Sequence, residues 1–255
     1  MTAELSLTAV PGVPMVNPGH DVPALIMDAL DRARLKPNSG DVLVIAQKII
    51  SKAEGRFVAL DSIVPSSEAQ RIAEKTAKDP RLVELILRES EEISRMGPGV
   101  LIVRHRLGFT SANAGIDRSN VAQLGDEETV LLLPSNPDEA AEQIRNRIRE
   151  RLNIHVGIVI ADSHGRPFRL GTVGVAIGAA GIPALWDRRG ELDLYGYALQ
   201  HTDVGVADEI AAAAGLLMGQ GAEGTPVVLI RGLKLPPANG RAADLVRPRA
   251  LDLYR

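Results

Sequence analysis

Two aspartates lie in sequence contexts that suit a metal site. Asp117 belongs to the segment NAGID, and Asp162 follows the apolar run VGIVIA and precedes Ser163. Carboxylates that project from strand ends into one crevice suit Mg²⁺ or Mn²⁺, which prefer hard oxygen donors and keep waters for substrate phosphates. The pattern predicts Asp117 and Asp162 as metal ligands, with the Ser163 hydroxyl beside them. The competing interpretation is that each aspartate hydrogen-bonds its own backbone in a turn.

Three glycines, Gly219, Gly221 and Gly224, form the pattern G-x-G-x-x-G between a predicted helix and a predicted strand. A dinucleotide fingerprint instead leaves a strand and opens a helix, so a Rossmann site is disfavoured. Successive glycine amides can still line an anion-binding concavity, which favours a phosphate-binding loop. The alternative is a helix C-cap followed by a plain turn. A Walker A motif does not occur, which argues against a P-loop phosphotransferase.

Basic side chains near these segments are candidates for binding phosphate or carboxylate groups. Lys52 follows an apolar strand in IISKAEG, and Arg166 and Arg169 follow Asp162 in SHGRPFRLG. Guanidinium groups bind such anions bidentately, although all three residues could equally be solvated or ion-paired surface charges. No two of the five histidines have the i, i+4 spacing of a zinc helix, and His164 is interpreted as a loop residue.

Composition excludes several classes of protein. A net charge of -3 and only seven aromatic residues among 255 argue against nucleic-acid binding. Cysteine is absent, so a disulfide framework and a thiolate metal site are excluded, which fits a reducing cytoplasm. The N-terminal residues lack the pattern of a secretory signal, and no apolar run approaches the roughly 20 residues that span a bilayer. We expect no membrane partner.

The elements that must position these residues alternate between short β-branched runs and helical patterns, which predicts a mixed α/β fold. The predicted strands are residues 4–10, 41–47, 99–105, 129–133, 154–161, 171–181 and 225–232. The predicted helices are residues 22–30, capped by Asp21, and residues 67–78, 81–95, 137–152 and 204–218. The segment SANAGIDRSN, which contains Asp117, is predicted to be a loop.

The chain shows no sharp linker and no internal repeat, so we predict one main domain over residues 1–240. The charged helices near residues 66–96 are a candidate insertion within it. Residues 241–255 are polar and basic and contain Pro248, which suggests a C-terminal tail or a segment that contacts a partner.

Taken in order along the chain, several motifs resemble the coenzyme F420-0:gamma-glutamyl ligase family. The similarity runs from about residue 10 to residue 235. The motifs that carry it are VPGVPMV, GDVLVIAQKIISKAEGR, SANAGIDRSNV, IADSHGRPFRLGTVGVAIGAAG, DLYG, VADEIAAAAGLLMGQGAEGTP and VVLIRGL. Several of them are long and independent of one another, which argues against chance.

The resemblance implies a family-specific α/β fold of the mixed α+β kind, with mixed sheets and flanking helices, in a cytoplasmic homodimer. It implies a ligase that adds L-glutamate to coenzyme F420-0 through a γ-linked amide, with GTP as co-substrate and an acyl phosphate as intermediate. The implied cofactors are Mg²⁺ or Mn²⁺, as two ions, with K⁺ as an optional further cation. The flavin chemistry of the longer bacterial relatives is not expected.

The resemblance also implies roles for individual residues. Lys52, Asp117 and Asp162 match the catalytic positions. The metal ligands match Asp117, Asp162, Ser163 and Gln220, the last an uncharged donor that would hold a second ion less strongly. The nucleotide contacts match Val13, Pro14, Met15, Val16, Gln47, Lys48, Lys52, Asn120, Met218, Gly219, Gln220, Gly221, Ala222, Glu223, Gly224 and Thr225.

Two alternative functions share the same residues. A nucleotide-binding protein could sense GTP without ligation, and a metal-dependent phosphohydrolase could use the same aspartates. The sequence favours the ligase over both only through the family resemblance.

Overall fold

A computed structural model describes residues 4–123 and 128–252 of the chain. Residues 1–3 and 124–127 of the predicted main domain and residues 253–255 of the predicted tail lie outside this part. The described helices are α1 Val22–Arg32, α2 Gln47–Ala53, α3 Ser67–Thr76, α4 Pro80–Arg88, α5 Pro137–Leu152 and α6 Val206–Met218. The described strands are β1 Ser6–Ala9, β2 Val42–Ala46, β3 Phe57–Ala59, β4 Ser90–Gly97, β5 Val100–His105, β6 Thr110–Ala112, β7 Thr129–Leu131, β8 Gly157–Arg166, β9 Arg169–Ala180, β10 Trp186–Asp187, β11 Asp203–Val204 and β12 Val227–Arg231. The mixed α/β fold is confirmed.

Local capping signals set the start of α1 and both bounds of α5 as predicted. α1 begins after Asp21, whose side chain accepts a hydrogen bond from the amide of Ala24. α5 begins after Asn136, which caps the amide of Glu139, and ends at Asn153 in the left-handed conformation. Its predicted bounds, residues 137–152, are confirmed.

A five-stranded sheet in the order β1-β12-β2-β8-β9 forms the centre of the molecule. Strands β2 and β8 are parallel, and the other neighbours are antiparallel. Apolar side chains alternate between the two faces. Leu43, Ile45 and Ile158 pack with α1, α2 and α5, whereas Val44 and Val159 pack with α6. Because both faces are covered, β2 is a nearly continuous apolar run.

Glycines on β9 let helices approach the sheet closely, as the glycine pattern in residues 171–181 indicated. A Cβ on Gly174 would lie 2.4 Å from the carbonyl oxygen of Ala211 on α6. A Cβ on Gly178 would lie 2.4 Å from the carbonyl oxygen of Pro137 on α5. Both helices therefore depend on the absence of a side chain at these positions.

A separate core cluster lies around α3, α4, β5 and β7, with Leu60, Ile86, Leu101 and Val130 at its centre. The helices predicted near residues 66–96 belong to this cluster. The prediction of one helix over residues 81–95 was wrong, since α4 ends at Arg88 and residues 90–97 form β4, paired with β5. Pairing with a neighbouring strand here outweighs the helical propensity of Glu and Arg.

β8 was predicted to end at Ala161 but continues to Arg166 and forms a hairpin with β9. Asp162 and His164 therefore lie within a strand rather than in a loop, and Arg166 lies at the strand end. The longer strand is stabilised by its pairing with β9, which a prediction from β8 alone does not include.

The C-terminal segment is folded onto the main body at residues 240–243. The side chain of Asp138 on α5 accepts a hydrogen bond from the amide of Ala242, and Ala242 is buried. No helix of residues 4–123 and 128–252 combines the length and apolar character needed to cross a membrane.

Candidate functional site

Four of the predicted site segments meet at one edge of the central sheet. At this edge, the amides of Val10 and Ala46 donate hydrogen bonds to the carbonyls of Val227 and Pro226, at the start of β12. Ala46 ends β2 and lies beside Ala161 of β8 in the parallel pair. Four segments are therefore neighbours: the segment after β1, the start of α2, the glycine loop of residues 219–224 before β12, and the part of β8 that contains Asp162. In open α/β sheets, ligands bind beyond the carboxyl ends of parallel strands.

Asp117 is held at this edge by the first turn of α2. Gln47 Nε2 donates to Asp117 Oδ2 at 2.7 Å, and Lys48 Nζ lies 3.2 Å from Asp117 Oδ1. Ser51 Oγ in turn donates to Gln47 Oε1 at 2.7 Å, which fixes the orientation of the amide. Lys48 Nζ also donates to the carbonyl of Ser119 at 3.1 Å. The carboxylate is thus locked between an amide and an ammonium group.

The same loop reaches the glycine loop through Asn120. Its Nδ2 donates to the carbonyl of Gly221 at 2.8 Å. Asn120 has a positive φ of 55°, a conformation that asparagine tolerates better than most residues. Three segments far apart in sequence, around Asp117, Gln47 and Gly221, are therefore joined by direct hydrogen bonds.

Asp117 and Asp162 interact electrostatically. Burial is the largest influence on Asp117 and raises the pKa of its carboxyl above the ordinary value. The charge of Lys48 lowers this pKa, and the negative charge of Asp162 raises it again. Two carboxylates close enough for the charge of one to raise the pKa of the other provide a donor set that a divalent cation would stabilise.

Lys52, on the same helix as Gln47 and Lys48, is buried, with 9% of its surface exposed. Burial lowers the pKa of its ammonium group, as does the charge of Lys48, whereas Asp117 raises it. In the described part of the chain, the Lys52 side chain makes no hydrogen bond or ion pair. A lysine side chain that is largely buried without a direct anionic partner suits a negatively charged ligand.

The glycine loop binds the carboxylate of one of its own residues, Glu223. The carboxylate of Glu223 accepts a hydrogen bond from the amide of Gly221 at 2.8 Å. Hydrogen bonds from the amides of Glu223, Gly221 and Gln220 lower the pKa of this carboxyl. Gly219, at φ 70°, leaves room for it, since a Cβ there would lie 2.1 Å from Glu223 Cδ. The loop therefore presents an anion-binding concavity of backbone amides.

Asp162 has a partner that the sequence interpretation missed. His164 Nε2 lies 2.9 Å from Asp162 Oδ2, and both side chains point to the α2 side of the sheet because they are two residues apart on β8. His164 is buried rather than a loop residue. The D-x-H spacing would have indicated this pair had the strand been predicted through residue 164.

The remaining predicted metal ligands lie on the other side of β8. Ser163 pairs with Gly174, and strand alternation turns it towards α6, which leads into the loop that contains Gln220. Both residues are exposed. Within residues 4–123 and 128–252, no hydrogen bond joins either of them to Asp117 or Asp162. These residues also contain no group of three or more histidine and acidic side chains arranged to hold a metal ion.

The turn after β1 shares the sheet edge without direct hydrogen bonds to the aspartates. Val16 is buried in the main core and Val13 packs against it, whereas Met15 is exposed. At the other end of the glycine loop, Thr225 Oγ1 donates to the carbonyl of Leu217 at 2.8 Å. The turn leaves Met15 available for contact with a ligand.

Known proteins are similar in sequence to this chain over most of its length. The sequence model of the family described as F420-0:Gamma-glutamyl ligase matches residues 12–232. A protein of Methanothermobacter thermautotrophicus named Coenzyme F420:L-glutamate ligase is 48% identical over 253 residues, which cover 98% of this chain and 99% of that protein. Proteins of the same name are 48% identical in Methanocaldococcus jannaschii, over 85% of each chain, and 42% identical in Archaeoglobus fulgidus, over 96% of this chain and 94% of that protein.

Proposed function

This chain belongs to the F420-0:gamma-glutamyl ligase family, and we propose that it attaches L-glutamate to coenzyme F420-0 through a γ-linked amide in F420 biosynthesis. We propose further that the reaction consumes GTP and needs Mg²⁺ or Mn²⁺. The observation that carries the proposal is the hydrogen-bonded junction of the Asp117 loop with the first turn of α2 and with the glycine loop.

The chemistry requires activation of a carboxylate. A carboxylate does not condense with an amine at neutral pH, because its oxygen is a poor leaving group. We propose that a carboxylate oxygen of F420-0 attacks the γ-phosphorus of GTP, so that the bond to the bridging oxygen breaks and GDP leaves. The amine of glutamate then attacks the acyl phosphate, phosphate departs, and the ammonium proton is released to solvent. The products are the amide, GDP and phosphate.

The chain's own residues would position the triphosphate. The amides of Gln220, Gly221 and Glu223 already hold one carboxylate, and phosphate oxygens have the same acceptor character. Lys52 would supply the positive charge, since its buried ammonium group has no ion-pair partner in the described structure. The turn that contains Val13, Pro14, Met15 and Val16 would contact the rest of the nucleotide. Positioning and electrostatic stabilisation do most of the work in phosphoryl transfer.

The metal would be held by Asp117 and Asp162, with Ser163 and Gln220 on the α6 side as ligands of a second ion. A divalent ion bound there neutralises charge on the phosphate oxygens. The negative charge of Asp162, which raises the pKa of Asp117, supports this assignment. Gln47 and Lys48 would keep the Asp117 loop in place, and K⁺ remains a proposed additional cation.

The decisive assay mixes the protein with F420-0, L-glutamate, Mn²⁺ and either GTP or ATP. Mass spectrometry should show glutamate-sized increments on F420-0 with GTP, together with release of GDP. Phosphate release without F420-0 would instead indicate a phosphohydrolase, and GTP binding without any product would indicate a sensor.

The role of Asp162 is tested in the same assay. The variant Asp162→Asn should keep the fold and lose ligation. Asp28→Asn on α1 is the matched control, because Asp28 is exposed and its one described contact is with Arg151 at 3.5 Å. Full activity in Asp162→Asn would refute the proposed role of this carboxylate.

We also propose a homodimer. Phe168 and Leu170, at the turn between β8 and β9, and Leu194 and Tyr195 are each at least 95% exposed in the single chain. Exposed apolar side chains of this size favour burial against a second surface. Light scattering after size-exclusion chromatography should give twice the chain mass of 27.2 kDa, and a monomer at micromolar concentration would contradict the proposal.

A further inference from the structure

The side chain of His164 is the only group that hydrogen-bonds the Asp162 carboxylate within the described part of the chain. Its Nε2 lies 2.9 Å from Asp162 Oδ2, and the two side chains are only 9% and 13% exposed. We propose that His164 is a positioning residue for Asp162. It holds one carboxylate oxygen by a hydrogen bond and thereby presents the other towards the cation. This inference rests on the proposed metal site.

A stack of three rings fixes the orientation of the His164 imidazole. The ring centroid of Phe109 lies 4.9 Å from that of His164, with the planes tilted by 50°. On its other side, Phe109 stacks on His105 at 5.2 Å with nearly parallel planes. His105 is fully buried, and its Nδ1 accepts a hydrogen bond from the amide of Leu107. Because the stack is anchored at a buried ring, His164 has little freedom to rotate away from Asp162.

The hydrogen bond does not depend on the ionisation of the imidazole. A carboxylate only accepts hydrogen bonds, so the contact requires a proton on His164 Nε2. Both the neutral tautomer with that proton and the imidazolium meet the requirement. Asp208, at the start of α6, is a second carboxylate near the ring, and its Oδ1 is occupied by the amide of Ala176. The ring can therefore donate to Asp162 in either state of ionisation.

Removing the donor should weaken metal binding without unfolding the protein. Partners that orient a ligating carboxylate typically contribute about 10- to 100-fold to metal affinity. We expect His164→Leu, which keeps an apolar side chain against Phe109, to lower the affinity for Mn²⁺ by a factor in this range. His164→Gln should recover part of the loss, since its amide can place an N–H near the position of Nε2. His155→Leu is the matched control, because His155 is exposed just before β8 and its side chain makes no described contact.

The test is titration of the purified nucleotide-free protein with Mn²⁺ alone, with free Mn²⁺ followed by electron paramagnetic resonance. Thermal melting of each variant checks the fold. We expect wild type and His155→Leu to bind Mn²⁺ with equal and highest affinity, His164→Gln to bind more weakly, and His164→Leu to bind most weakly. The KM for Mn²⁺ in ligation should rise in the same order, and saturating Mn²⁺ should restore most of kcat.

Two results would overturn the inference separately from the proposed function. If Asp162→Asn loses Mn²⁺ binding while His164→Leu keeps it, the metal site stands and His164 has no positioning role. If His164→Gln and His164→Leu are equally weak, the ring acts through packing rather than through its hydrogen bond. Equal Mn²⁺ binding by wild type and Asp162→Asn would remove the metal site itself and this role with it.

Discussion

Replacing Gly174 by alanine tests how closely α6 is packed on the central sheet. The added Cβ would lie 2.4 Å from the carbonyl oxygen and 2.8 Å from the carbonyl carbon of Ala211, where ordinary contact begins at 3.4 Å. Both neighbours are backbone atoms, so no flexible side chain can move aside. A close-packed interior has no void to absorb the difference, and α6 would have to move outwards by about 1 Å.

The expected cost follows from this overlap. Overpacking by one methyl group typically destabilises a protein by about 1–3 kcal/mol. For a chain of this size, each kcal/mol corresponds to a shift of about 2–4 °C in Tm, so Gly174→Ala should lower Tm by about 2–12 °C. The displacement should also raise the KM for GTP, because α6 leads directly into the glycine loop.

Thermal melting followed by circular dichroism measures this cost, with Gly165→Ala as the control on the same hairpin. A Cβ on Gly165 meets no atom within 4 Å and its φ is not positive. That variant should melt at or slightly above the wild-type temperature, since alanine restricts the unfolded chain more than glycine does. If Gly174→Ala melts together with Gly165→Ala, the close approach of α6 described here is wrong.

Three further predictions concern charged groups. The variant Asp117→Asn should lose ligation activity but should melt no lower than wild type at pH 7. A carboxyl whose pKa is raised by burial costs stability once it ionises, and the amide removes this cost. A clearly lower Tm would contradict this reasoning. Glu223→Ala should lower the KM for GTP about 2- to 10-fold by freeing the loop amides for phosphate, and an increased KM would show that Glu223 assists nucleotide binding. Burial raises the pKa of Glu89, but the neighbouring His105 and the charges of Arg106 and Arg56 outweigh it and hold this pKa below its ordinary value. Glu89→Gln should therefore lower the free energy of unfolding in urea by about 3 kcal/mol at pH 7. The difference between the two proteins should disappear as pH falls through the folded pKa of Glu89. A difference that does not change with pH would refute the ionic explanation.

Elements with strong local signals could be predicted from sequence. α5 has an asparagine cap followed by proline at its start and a left-handed Asn153 at its end, and its predicted bounds match the structure. β2 is an apolar run that begins after the turn at residues 39–40, which sets its start without reference to its neighbours. In both cases the determining hydrogen bonds or contacts lie within a few residues of one another.

Other elements depend on partners that the local sequence does not reveal. β4 is rich in charged residues with helical propensity and becomes a strand through its pairing with β5. β8 extends past Asp162 because β9 pairs with it as far as Arg166. The Asp162–His164 contact was missed for this reason, since a loop does not place alternate side chains on one face.

The sequence alone determined the chemistry available to this protein: aspartates after apolar or glycine-rich segments, a lysine after an apolar run, and a glycine loop without a P-loop motif. Tertiary structure decided which of these groups meet. Gln47 contacts Asp117 across 70 residues, and Asn120 contacts Gly221 across 101. Such contacts arise from the pairing order of the central sheet, which brings the end of β2, the middle of β8 and the start of β12 to one edge. Local propensity carries no information about that order.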